Sequence, residues 1–181
     1  LDLSGNANNG ALYNDVACSN SDAVIGKSCN FDGSNDFVLS TVAGFGLSDN
    51  IGTFSAWVKK TVSSGSGVVF ASNDEATNDY YLSFWVGSRF SVTISSVFSV
   101  ISTPVNSILL NNWYHVAATS NGSAYSLFIN GVQQELTVEV GVNNGEWFAD
   151  IPNRDNIAIG AWKRAGELNG GYNFRGVIDD V

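Results

Sequence analysis

Short apolar runs of strand length recur along the whole chain, and this patterning restricts its fold more than any other feature. Alternating or continuous runs cover residues 53–60, 67–71, 80–86, 90–94, 113–119, 125–129, 132–136 and 156–160. β-branched and aromatic residues dominate each run, while helical periodicity is almost absent. Gly, Asn, Ser and Asp fill the gaps. Asn130-Gly131, between two such runs, predicts a tight hairpin, because both residues tolerate positive φ. Gly87-Ser88-Arg89 predicts a second reversal. Many antiparallel strands joined by short turns imply an all-β, two-sheet antiparallel sandwich.

Alternation also sorts side chains by face. In 53–60, Phe54, Ala56 and Val58 share one side and are expected in the core, with Trp57 and Lys59 opposite. In 113–119, Tyr114, Val116 and Ala118 oppose Trp113, His115 and Ala117. Both of those faces are largely apolar, as in a central strand, and Trp57 and Trp113 are read as core or structural.

The 181 residues fit one domain, 1–181, with a sizeable core. A net charge of -9 with eight basic residues argues against nucleic acid, which needs clustered Lys and Arg. No apolar run approaches the ~18 residues of a membrane span. The start lacks a leader pattern, and Ile178-Asp179-Asp180-Val181 reads as a strand cut short, so an excised piece of a larger extracellular protein is expected. Cys18 and Cys29 flank a polar loop and are predicted to form a disulfide, which points to an extracellular or cell-surface location. A zinc site is not expected, since these are the only cysteines and the one histidine is distant.

The motifs together resemble the LamG-like jelly-roll domains of the concanavalin A-like lectin and glucanase superfamily. Asp2-Leu-Ser-Gly-Asn-Ala-Asn-Asn-Gly10 is similar to the family's Asp-x-Ser-Gly-Asn-Gly-Asn-x-Gly opening. Asn30-Phe-Asp-Gly-Ser-Asn-Asp-Phe-Val38 resembles its Phe-Asp-Gly segment, and Thr53-Phe-Ser-Ala-Trp-Val58 its next core strand. Asn112-Trp-Tyr-His-Val-Ala117 and Leu127-Phe-Ile-Asn-Gly131 resemble its hairpin. Ile157-Ala-Ile-Gly160 and Phe174-Arg-Gly-Val-Ile-Asp-Asp-Val181 resemble its closing strands. The motifs follow family order from end to end. Ala7 stands where Gly is usual, and residues 80–105 and 141–155 carry no family signature. The resemblance implies a jelly roll that binds carbohydrate or protein, often with a structural calcium, as an accessory module or a surface adhesin.

Calcium takes six to eight hard oxygens. Asp2, Asn6 and Asn8 lie in a Gly-containing loop able to wrap an ion, and the family sheet order would bring Asp179 or Asp180 near it. Only one of that adjacent pair can face a given site. Glycoside hydrolysis needs two carboxylates about 5–9.5 Å apart. Glu135 and Glu139, placed on one strand, would be ~13 Å apart and are read as solvated. His115 lies in an apolar strand without a nucleophile elbow elsewhere and is read as structural.

For a ligand, exposed aromatics beside hydrogen-bonding groups suit a sugar. Trp147 in a late loop, Trp162 at a strand end, and Tyr80 after a polar loop are the aromatic candidates. Arg154, Asn156, Lys163, Asp155 and Asn169 are the polar ones, and convergence of Arg154, Lys163 and Arg164 would favour an acidic or sulfated sugar. The expected function is a non-catalytic, lectin-like module that binds a glycan or polysaccharide, as a monomeric domain with no membrane insertion. The alternative is a structural or protein-binding spacer of a surface adhesin or pilus-associated protein.

Overall fold

The computed structural model describes residues 8–42, 48–76, 80–95, 98–164, 167–168 and 172–181. In chain order its strands are β1 (Ala11–Tyr13), β2 (Ala17–Ser19), β3 (Ser28–Asp32), β4 (Phe37–Thr41), β5 (Gly52–Lys60), β6 (Gly67–Asn73), β7 (Tyr81–Val86), β8 (Phe90–Ile94) and β9 (Ser99–Ser102). They continue with β10 (Tyr114–Ser120), β11 (Tyr125–Ile129), β12 (Val132–Gln133), β13 (Thr137–Val140), β14 (Asn156–Ile159), β15 (Lys163–Arg164), β16 (Glu167–Leu168) and β17 (Arg175–Asp179). One 3₁₀ turn covers Phe148–Asp150. An eight-stranded sheet runs β1-β4-β14-β6-β7-β8-β9-β13, a seven-stranded sheet runs β12-β11-β10-β5-β17-β3-β2, and β15–β16 form a small ribbon. The two large sheets form the jelly-roll sandwich that the patterning implied.

The period of two decides what lies between the sheets. Phe54, Ala56 and Val58 of β5 are buried, as expected, and so are Val116 and Ala118 of β10. From the opposite sheet come Leu82, Phe84 and Val86 of β7 and Phe90, Val92 and Ile94 of β8. Phe54 stacks on Phe84 at 4.3 Å and also touches Phe70 and Phe90. Such rings contribute large apolar areas and offset packing at once.

The turn chemistry is equally local. Asn130 and Gly131 both take positive φ, 50° and 76°, and the Asn130 side chain accepts the His115 N–H at 2.9 Å. The Phe-Asp-Gly segment is a turn built on two carboxylates. Asp32 accepts the Ser34 N–H at 2.7 Å, which holds its pKa below the usual carboxylate value. Asp36, buried, accepts the N–H groups of Asp15 and Asp32.

One strand differs from its expected extent. The run 132–136 pairs only over β12, after which the chain crosses to the other sheet and β13 pairs with β9. Alternation continues through the crossing, so the pattern alone does not mark the change of sheet. Glu135 therefore lies on the link, exposed, while Glu139 lies in β13 and pairs with Arg89.

Cys18 and Cys29 sit directly opposite each other in β2 and β3 and form the predicted disulfide. The loop they close is pinned twice more. Asp179 Oδ2 accepts the N–H groups of Val24 and Ile25, each at 2.8 Å, and Asp22 pairs with Lys59. A Cys18→Ser/Cys29→Ser variant is expected to keep its fold, through these pins, but to lose about 3 kcal/mol in urea unfolding. An unchanged midpoint would show that the bridge contributes nothing.

Candidate functional site

The candidate site is the outer face of the eight-stranded sheet. Ile157 and Ile159 of β14 point into the core, so Asn156 and Ala158 point outward. Register carries this face across the sheet. Asn156 and Ala158 pair with Asn73 and Ala71 of β6, which pair with Tyr81 and Ser83 of β7. Trp85 follows on the same face beside Val68. Small side chains at Ala71, Ala158 and Ser83 leave room above them for large rings.

Those rings form a second apolar cluster. Trp162 lies over Val68 and Ala71. Tyr81 meets it at 4.3 Å, Trp85 at 5.6 Å and Tyr172 at 5.9 Å. Trp85 and Tyr172 meet edge to face at 5.0 Å. The indole N–H of Trp85 donates to Ser83 Oγ at 2.7 Å, which fixes the ring. Trp162 and Tyr81 are buried beneath; Trp85 is half-buried and Tyr172 is 42% exposed, so these two meet solvent.

A cleft of about 560 Å³ adjoins this layer, lined by Asn8, Tyr13, Leu39, Glu75, Asp155 and Asn156 among others. Its polar groups are wired together. Glu75 pairs with Lys163 at 2.6 Å. Asp155 Oδ1 accepts the Glu75 N–H at 3.0 Å and the Asn156 amide at 3.2 Å. The Asn73 amide donates to the Lys163 carbonyl. The Oδ1 atoms of Asn73 and Asn156 are buried and accept no hydrogen bond from the protein.

The predicted ligand residues separate into two groups. Asn156, Lys163 and Trp162 belong to this outer face, and Tyr80 is exposed at the start of β7. Trp147 and Arg154 do not. Trp147 is 3% exposed and lies in the main core, against Phe84, Phe148 and Tyr125. Gly52 makes room for it, since a Cβ there would strike the indole. Trp147 thus anchors the late loop to the core.

Arg154 is 5% exposed, stacked on Phe148 at 4.0 Å and bonded to Ser72 Oγ at 2.7 Å. Burial pulls its pKa down to about 10, against the opposing pull of Asp49. Ser72 pairs with Ile157, on the inner face of the sheet, so Arg154 and Lys163 do not converge. The Arg164 side chain and Asn169 lie outside what the structure describes.

Of the expected metal residues, the described ones, Asn8, Asp179 and Asp180, lie on different elements. Asp2 and Asn6 lie outside the described residues. Asn8 lines the cleft on the eight-stranded sheet, whereas Asp179 belongs to the seven-stranded one and is bonded to the 24–25 backbone. Asp180 lies beyond β17, exposed, at φ 47°. The cause is topological, because β17 pairs with β3 and β5 while β1 pairs with β4. Among the described residues no group of three His, Cys, Asp or Glu side chains is placed to hold an ion.

Trp57 and Trp113, read as core or structural, are half-buried on the outer side of the seven-stranded sheet. Trp57 packs edge-on to His115 at 5.3 Å, and Lys59 lies over Trp113 at 5.3 Å. The residues that the patterns did not single out are Tyr81, Trp85, Tyr172, Asn73 and Glu75. Within 80–86 the signal was present: Leu82, Phe84 and Val86 are uniformly apolar, whereas Tyr81, Ser83 and Trp85 mix ring and hydroxyl.

The family Laminin_G_3, of the concanavalin A-like lectin/glucanases superfamily, matches residues 32–181. Among solved structures, the chain is similar to the CBM40 module of the Ruminococcus gnavus IT-sialidase bound to α2,3-sialyllactose. That match has 17% identity and a TM-score of 0.64, and covers 76% of each chain. It is also similar to domain 4 of AbnA, an extracellular GH43 arabinanase from Geobacillus stearothermophilus, in complex with arabinotriose. There the identity is 19% and the TM-score 0.62, over 94% of this chain and 79% of that one. A third likeness is to the heptameric SAP-like pentraxin of Limulus polyphemus, at 18% identity and a TM-score of 0.57, over 84% and 73% of the two chains. No curated protein matches the chain in sequence.

Since Arg154 is a buried charge on the inner side, Arg154→Met is expected to unfold within about 1 kcal/mol of the parent or above it. It should leave ligand binding on the outer face unchanged. Abolished binding with an intact fold would place Arg154 in the site.

Proposed function

The chain belongs to the concanavalin A-like lectin/glucanases superfamily, and on that premise we propose that it is a non-catalytic carbohydrate-binding domain. Its ligand lies on the outer face of the eight-stranded sheet. The observation that carries this reading is the pair Trp85 and Tyr172, presented to solvent over a buried aromatic layer beside a polar cleft. A pyranose or furanose offers apolar C–H faces and a rim of hydroxyls. The rings suit the first, and Asn156, Asp155 and Glu75 suit the second. Pre-packed rings lose little freedom when a ligand arrives.

Glu75 and Asp155 also bear on catalysis, because both contact the Asn156 amide and so lie near each other. A glycosidase needs one of two such carboxyls protonated as the general acid. Glu75 is ion-paired with Lys163, and Asp155 accepts two N–H groups, so both carboxyl groups are already engaged by the protein. That arrangement suits hydrogen bonding at the rim of a ligand. The disulfide suits an extracellular setting.

Isothermal titration against a panel including arabinotriose and 3′-sialyllactose tests the reading. Trp85→Ala and Tyr172→Ala are each expected to weaken the best ligand at least about tenfold, which corresponds to ~1.4 kcal/mol. Trp113→Ala, on the opposite sheet, should leave affinity unchanged. Binding to no glycan by a folded domain would favour the spacer reading instead.

A further inference from the structure

The outer face has a definite hydrogen-bonding polarity. Asn73 and Asn156 sit side by side there, 1% and 3% exposed. Each amide is oriented by what its NH₂ meets. Asn73 Nδ2 donates to the Lys163 carbonyl, and Asn156 Nδ2 lies 3.2 Å from Asp155 Oδ1 and 3.5 Å from Glu75 Oε2. Rotating either amide by a half-turn would set oxygen against oxygen, so the network assigns the two ends. The two Oδ1 atoms are then left buried without a donor. A buried acceptor with no partner is destabilising.

Several donors of this face are already engaged elsewhere. Lys163 Nζ goes to Glu75, Trp85 Nε1 to Ser83 Oγ, and both asparagine NH₂ groups as above. Glu75 and Lys163, which the two NH₂ groups meet, form a partly exposed ion pair, a kind of contact worth little. A ligand can displace it at small cost.

Building on the glycan reading above, we propose that the site selects neutral glycans through their hydroxyl groups and rejects sugars that carry a carboxylate. Neighbouring hydroxyls supply the donors that Asn73 Oδ1 and Asn156 Oδ1 lack. A sugar carboxylate brings acceptors to acceptors, next to the charges of Glu75 and Asp155, where like charges repel.

The test is isothermal titration of the full chain with arabinotriose and with 3′-sialyllactose, each in calcium and in EDTA, using wild type and Asn156→Leu. Wild type is expected to bind arabinotriose at least about tenfold more tightly than sialyllactose, equally with and without calcium. Asn156→Leu, folded by circular dichroism, is expected to lose at least about tenfold in arabinotriose affinity. The ranking of the two sugars on wild type stands as a test even if that variant does not fold. Equal or tighter binding of sialyllactose overturns the inference while leaving a glycan-binding domain, as does an unchanged Asn156→Leu. Binding lost in EDTA also overturns it, because the free oxygens would then serve an ion. Binding of neither sugar, or of any other glycan in the panel, removes the reading on which it rests.

Discussion

The stack of Phe54 on Phe84 sets the direction of everything above it. Phe54 comes from the seven-stranded sheet and Phe84 from the eight-stranded one, and their rings lie 4.3 Å apart with planes 5° from parallel. With Phe84 inside, Leu82 and Val86 must also be inside, and Tyr81, Ser83 and Trp85 must be outside. A slip of one residue in β7 would bury the hydroxyls and expose the core. Phe70, Phe90 and Trp147 enclose the same pair, so the late loop and the sheet faces depend on one set of contacts.

The outer face is thus a by-product of core packing that has been furnished for contact. Its floor is made of Ala71, Ala158 and Ser83, all fully buried beneath the second aromatic layer. Chain segments far apart in sequence complete it. Glu75 follows β6 and Asp155 precedes β14, yet a hydrogen bond joins them across 80 positions. Two basic residues near this region in sequence have opposite fates. Lys163 remains on the outside in an ion pair, whereas Arg154 turns inward onto Phe148 and loses basicity through burial.

Much of the fold is legible in the residues. Phe54, Ala56 and Val58 alternate cleanly, Asn130-Gly131 makes its turn locally, and Cys18 and Cys29 face each other across a hairpin. What stays hidden is what alternation does not encode. The crossing after Gln133 keeps its period while changing sheets. Trp147 has the composition of a binding loop, but its burial depends on the space left at Gly52 in a strand almost a hundred residues earlier. The pairing of β17 with β3, which brings the Asp179 carboxylate to the loop 24–25 backbone, is likewise not written in the local pattern. Trp162 and Asn156 are recognisable as site candidates; Trp85 joins them through the alternation of β7, and Tyr172 only through its contacts in the fold.

The five tryptophans report on three distinct places: Trp85 and Trp162 on the outer face, Trp57 and Trp113 on the opposite sheet, and Trp147 in the core. The most direct measurement is therefore an ¹⁵N-correlation spectrum of the indole N–H signals during titration with arabinotriose. The account predicts that the Trp85 and Trp162 signals move together and saturate, while those of Trp57, Trp113 and Trp147 stay in place. Saturating shifts at Trp57 and Trp113, with Trp85 and Trp162 unmoved, would contradict it.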